Sequence, residues 1–115
     1  MKEIKALIQP FMAEKVINAL AAINGVPGIT VSEVMGFGRT RGREQSSEDE
    51  SIRCLKKTKL EIVVPDALVS AVVESIKQHA HTGNLGDGKI FVLPVEDAIR
   101  IRTGTHENEL GTNHE

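Results

Sequence analysis

The residues with the clearest chemical content run from Thr82 to Lys89, in the order Thr-Gly-Asn-Leu-Gly-Asp-Gly-Lys. Glycines let successive backbone N–H groups converge on one anion, and the closing lysine adds a point charge. Gly83, four residues, then Gly88-Lys89 satisfies most of the P-loop pattern. Two features turn that reading away from an ATPase. Ile90 follows the lysine, so no hydroxyl is offered to Mg2+. The run also leads from a helical pattern into a strand pattern, whereas a P-loop leads from strand to helix. An anion cradle of Gly86, Asp87, Gly88 and Lys89 survives, beside the plainer alternative of a tight turn with an exposed lysine. Asp87 next to Lys89 could orient a water, but spacing holds no second acid or histidine near it, so no catalytic residue is assigned.

Two further segments are friendly to anions. Ile99-Arg100-Ile101-Arg102-Thr103-Gly104 alternates apolar and basic residues, as an exposed strand does. Two guanidiniums on one face of a strand repel unless an anion lies between them, and phosphate suits that fork. The alternative is a solvated edge strand. Gly36-Phe37-Gly38-Arg39 closes an apolar run, and its glycines let backbone approach a ligand or bend into a loop. Three such segments in 115 residues favour a polyphosphate ligand.

Other candidates carry less. Cys54 is the only cysteine, so no internal disulfide forms, and it reads as a buried or simply unreactive thiol suited to a reducing cytoplasm, with a redox-active thiol as the alternative. His79 and His81 are two apart and share no helical face, while His106 and His114 lie near the C-terminus. They make a metal site only if an oligomer gathers copies. Ser46, Ser47 and Ser51 read as solvating loop residues, with phosphorylation as the alternative.

The elements that must position these groups follow from periodicity. Lys2 to Gln9 alternates, with Ile4, Ala6 and Ile8 on one face and Leu7 on the other, which predicts a strand. Pro10 suits a first helical turn, and Met12, Val16, Ala19, Leu20 and Ile23 follow at helical spacing. Gly25, Pro27 and Gly28 end that helix. Further strands are predicted over Ile29 to Phe37, Thr58 to Val64 and Lys89 to Val95. Pro65-Asp66 opens a second helix with Asp66 as N-cap and Leu68, Val69, Val72, Val73 and Ile76 as its stripe. The order β-α-β-β-α-β is the ferredoxin-like split motif, an α+β fold.

The chain has the length of one domain. It carries no apolar run long enough to span a membrane and no apolar leader, so neither a membrane span nor a signal peptide is expected. A net charge of −2 argues against nucleic acid as a partner, and three Phe with no Trp or Tyr offer no base-stacking platform. Two stretches do not fit a compact domain. Gly38 to Lys57 is polar, charged and without period, and is expected as a long loop. Thr105 to Glu115 is expected as a polar, mobile tail.

The segments MKEIKALIQPF, GITVSEVMGFGR, KTKLEIVVPD, HTGNLGDGKIFV and VEDAIRIRTG, in that order and spacing, resemble the PII signal-transduction proteins. The resemblance covers residues 1–104 and leaves the tail at 105–115 outside it. It implies a homotrimer of ferredoxin-like subunits with ATP or ADP, and with Mg2+, in clefts between subunits. A long T-loop at 38–57 would reach a partner protein, a membrane transporter or an enzyme of nitrogen metabolism. By the same resemblance Ile8, Gly28, Thr30 and Val64 surround adenine and ribose, and Glu61 is an acid beside the adenine. Gly36, Phe37, Gly38 and Arg39 lie under the phosphates at the T-loop base. Gly86, Asp87, Gly88 and Lys89 belong to the phosphate-holding B-loop at 82–89, and Arg100 and Arg102 cross into a neighbour's site.

The chain departs from that family's pattern in the T-loop. The loop is shorter than usual and has no tyrosine to be uridylylated. Thr40 stands where the family has the glutamine that helps coordinate Mg2+ beside 2-oxoglutarate. A hydroxyl lacks the reach of an amide. The expected second effector is therefore a small anion such as bicarbonate. Two alternatives remain beside the regulator, a metal-tolerance binding protein on the same trimer and a small nucleotide-hydrolysing enzyme.

Overall fold

The computed structural model describes residues 1–40 and 51–107. Strand β1 (Lys2–Ile8) buries Ile4, Ala6 and Ile8 and leaves the residues between them partly in water, as period-two alternation requires. A turn of 3-10 helix at Pro10–Met12 leads into α1 (Ala13–Ala21). Proline's fixed φ and missing N–H suit that first turn. Helix α1 buries Val16 and Leu20. Strands β2 (Thr30–Thr40) and β3 (Ser51–Val64) follow, then α2 (Val69–Ala80), which buries Val72, Ile76 and Ala80, and β4 (Gly88–Pro94).

All three strand pairings are antiparallel, in the order β2-β3-β1-β4. This is the α+β, ferredoxin-like architecture expected. Both helices pack on one sheet face, where Ile4, Ala6, Ile8, Leu60, Ile62 and Val64 meet Val16, Leu20, Val72, Ile76 and Ala80. A buried Leu or Ile contributes about 1.5–3 kcal/mol relative to exposure. A one-residue slip of β1 would turn its three buried residues to the other face, so the core sets the register.

Three expectations need correction. Residues 38–57 are not one long loop, because β2 and β3 pair continuously out to Thr40↔Ser51. An antiparallel ladder is made by backbone, and an arm reaching beyond the helices needs no buried stripe to announce it. Ser46 and Ser47 lie outside the described residues. Asp66 is no N-cap, since Pro65 holds the capping position of the 3-10 turn at Asp66–Leu68. Its carboxylate instead accepts the Met1 ammonium at 2.6 Å, and that bond and charge hold the carboxyl below its ordinary range. Finally, residues 105–107 are not part of a mobile tail but fold back on the preceding turn, with Glu107 N–H on the Ala98 carbonyl at 2.8 Å. Among the described residues no helix is long and apolar enough to cross a membrane.

Candidate functional site

The glycine loop is closed by its own acid. The Asp87 carboxylate accepts the Thr82 hydroxyl, the Thr82 N–H at 2.7 Å and the Gly83 N–H at 2.9 Å. These bonds, the Thr82 hydroxyl first, hold its carboxyl below the ordinary aspartate value, with a smaller pull from His81 3.7 Å away. The carboxylate that was free to orient a water in the sequence reading is thus engaged in shaping the loop.

Two glycines are required for stated reasons. Gly88 has φ +110°, and a Cβ there would lie 1.7 Å from the Leu7 carbonyl oxygen, so only glycine lets β4 begin against β1. Gly86, at φ +92°, presents its carbonyl to the Lys57 ammonium, and a Cβ on it would meet Gln9 Nε2 at 3.4 Å. Lys57 and Gln9 were missed by the sequence reading, which counted Lys57 only among loop charges. Alternation from Glu61 back through Lys59 puts Lys57 on the same sheet face but does not bring it to Gly86. Behind the loop a cleft of about 350 Å³ is floored by Ile8, Ile76 and Ala80 and edged by His81, Asp87 and Lys89.

The second group lies on the sheet face that the helices leave open. Register sets Thr30, Glu61, Lys5 and Phe91 in one row, and Lys59, Leu7 and Lys89 in another. Lys59 and Glu61 stand 3.9 Å apart. Ile8 and Val64, each 1% exposed, turn their side chains into the core and leave a ligand only their backbone. Their neighbours Leu7 and Val63 are the side chains on the open face. Gly28 is exposed with open space where a Cβ would be. Gly36 pairs with Leu55 and Phe37 with Cys54, while Gly38, Arg39 and Thr40 carry β2 onward opposite Arg53, Ile52 and Ser51. Of the two expectations for Cys54, burial fails: it is exposed, because the helices do not cover this part of β3.

The arginine segment is not a strand. Its chain reverses over Ile101–Thr103, with the Arg100 N–H on the Thr105 carbonyl at 2.9 Å and the Gly104 N–H on the Arg100 carbonyl at 2.7 Å. Gly104 sits at φ +72°, which admits the reversal. Arg100 and Arg102 therefore do not project side by side from a strand face. The Arg100 guanidinium is bound by Glu107, Nε to Oε1 at 2.9 Å and Nη2 to Oε2 at 3.4 Å. Arg102 is exposed in the turn.

The two basic segments join β4 at its opposite ends. Ile8 pairs with Gly88 beside the glycine loop, and Lys2 pairs with Pro94 at the other end, just before the arginine turn. At about 3.3 Å per residue that length is roughly 20 Å. The described histidines have separate partners. His79 Nδ1–H donates to the Ser75 carbonyl at 2.8 Å, and His106 Nδ1–H donates to Asp97 Oδ2 at 2.7 Å. Among the described residues no group of three or more side chains is arranged to hold a metal.

The described residues thus form a small antiparallel α+β domain with a glycine-rich loop clasped by Asp87 and with β2 and β3 paired beyond the core. A family model described as "Nitrogen regulatory protein P-II" matches residues 1–105. A protein of that name from Haemophilus influenzae is 50% identical over 111 residues, covering 95% of this chain and 97% of its own length. One from Azospirillum brasilense is 48% identical over 106 residues, covering 90% and 94%. "Nitrogen regulatory protein P-II 1" of Escherichia coli is 46% identical over 110 residues, covering 94% and 97%. The chain belongs to the nitrogen regulatory protein P-II family. It is a signal-transduction regulator and not an enzyme.

Proposed function

We propose that this regulator binds ATP and ADP, with Mg2+, in clefts between the subunits of a cytoplasmic homotrimer. It then controls a partner protein, a membrane transporter or metabolic enzyme, through residues 38–57. The reading rests most on the opposite ends of β1 at which the glycine loop enters β4 and the chain leaves β4 for the arginine turn, roughly 20 Å apart. A nucleotide that touches both lies between two copies. Copies joined head to tail around a closed ring supply such junctions. Exposed Phe91 and Leu93 with Leu7 and Val63 on the uncovered sheet face offer apolar surface for that assembly.

In this reading Gly36, Phe37, Gly38, Arg39, Gly86, Gly88 and Lys89 receive phosphate, with Lys57 beside them. Asp87 shapes the loop. Gly28, Thr30 and Glu61 of the cleft receive adenine and ribose with the backbone of Ile8 and Val64. Arg100 and Arg102 come from the adjacent copy. Thr40, too short to replace an amide ligand, turns the second effector from 2-oxoglutarate to a small anion such as bicarbonate. Calorimetric titration of ATP, ADP and adenosine into the full chain tests the reading, with bicarbonate and 2-oxoglutarate as second titrants. Saturable binding of both nucleotides, tightened by bicarbonate and not by 2-oxoglutarate, is expected. Absence of ATP binding at millimolar concentration overturns it.

A further inference from the structure

The turn at 97–107 holds an anion of its own against the arginine that the proposed function gives to phosphate. Glu107 meets the Arg100 guanidinium side-on through two donors, at 2.9 and 3.4 Å, which is the fork a phosphate uses. The pair is largely withdrawn from water, at 9% exposure for the arginine side chain and 24% for the glutamate. Its geometry is built rather than incidental. Glu107 N–H bonds the Ala98 carbonyl at 2.8 Å, and the neighbouring His106 is fixed to Asp97 at 2.7 Å. Asp97 in turn accepts the Ala98 N–H at 2.8 Å. These contacts close the turn from both sides and present the Glu107 carboxylate to Arg100.

We propose that Glu107 is a built-in competitor of nucleotide phosphate for Arg100. The inference rests on the nucleotide reading above. A cation so nearly buried needs a counter-charge, and Glu107 supplies it when no phosphate does. Phosphate gains Arg100 only by taking it from Glu107, so part of the phosphate contact energy is spent on that exchange. Glu107 thereby sets the nucleotide concentration at which the regulator responds. It is a specificity-determining residue that acts through Arg100. Adenosine, which has no phosphate, does not feel it.

The experiment is titration of ATP and of adenosine into the full-length chain and its Glu107→Gln, Glu107→Asp, Arg100→Ala and double Arg100→Ala/Glu107→Gln variants. Glu107→Gln keeps the side chain's shape and removes its charge, and ATP affinity rises about tenfold, the size of one charge-assisted contact. Glu107→Asp retracts the carboxylate by one methylene and raises it less. Arg100→Ala weakens ATP, and adding Glu107→Gln to it changes nothing further. That loss of effect separates competition from a merely structural role. Adenosine affinity is equal in all five proteins. ATP affinity in Glu107→Gln equal to or weaker than that of the parent overturns the inference and leaves the nucleotide reading standing. Parent-like ATP binding by Arg100→Ala also overturns it, because Arg100 then meets no phosphate. A parent chain that binds no ATP overturns both.

Discussion

The glycine loop and the arginine turn are both short, basic and glycine-containing, and they answer to different physics. The loop is closed locally and seated against a neighbouring strand. Asp87 reaches back five residues to Thr82, and Gly88 removes a Cβ that would collide with Leu7. Lys57 and Gln9 then meet it from elsewhere in the chain. The turn is closed within its six residues by Gly104 on Arg100 and held from outside them by Glu107 on Arg100 and His106 on Asp97. An alternating pattern licenses a strand only where a partner strand is available to pair with it. Here Ile99 has a single isolated bridge, to His106.

The contrast can be attacked first at the loop. Gly88→Ala carries the largest expected effect, because its Cβ would fall 1.7 Å from the Leu7 oxygen at a φ of +110°. Strain and displaced β1–β4 pairing should cost about 2–4 kcal/mol. Gly28→Ala, with open space around it, should stay within about 0.5 kcal/mol. Urea unfolding of both compares them, and equal midpoints would mean that β4 does not need glycine to begin.

Next in size is Lys89→Ala. Losing one charge-assisted phosphate contact costs about 1.5–3 kcal/mol, or roughly 10- to 150-fold in ATP affinity. Adenosine should bind as before. Calorimetry giving equal ATP affinities would remove Lys89 from the phosphates.

The smallest effect is on the loop's acid dependence. Asp87 has its carboxyl held below the ordinary value of 3.8 by Thr82. A group depressed in the folded state stabilises above its unfolded pKa of about 3.9, and that contribution is lost as pH falls through the lowered folded value. The amide resonances of Thr82 and Gly83 should therefore titrate below pH 3.8. A midpoint at or above that value would contradict the clasp.

Much of the frame was legible because burial and spacing repeat. Ile4, Ala6 and Ile8, and Val72 with Ile76, announce their faces through periods of two and of 3.6 residues. The continuation of β2 and β3 was not legible, since Phe37 and Cys54 face water and bury no stripe. Ile8 and Val64 were drawn into the ligand set while their side chains belong to the core, and the period-two rule that predicted β1 already assigned Ile8 to the buried face. Lys57 on the Gly86 carbonyl was hidden for another reason. It joins residues 29 apart in sequence, and no local pattern encodes such a meeting.

In the proposed function one nucleotide is held by the glycine loop of one copy and the arginine turn of the next. Lys89→Ala chains and Arg102→Ala chains, each at an ATP concentration where neither binds alone, should be unfolded together, refolded as mixed oligomers and titrated with ATP. In a mixed ring some junctions join an intact loop to an intact turn, so binding should reappear in proportion to those junctions. If the mixture binds no more ATP than its two parents, loop and turn do not share a ligand across subunits and the account fails.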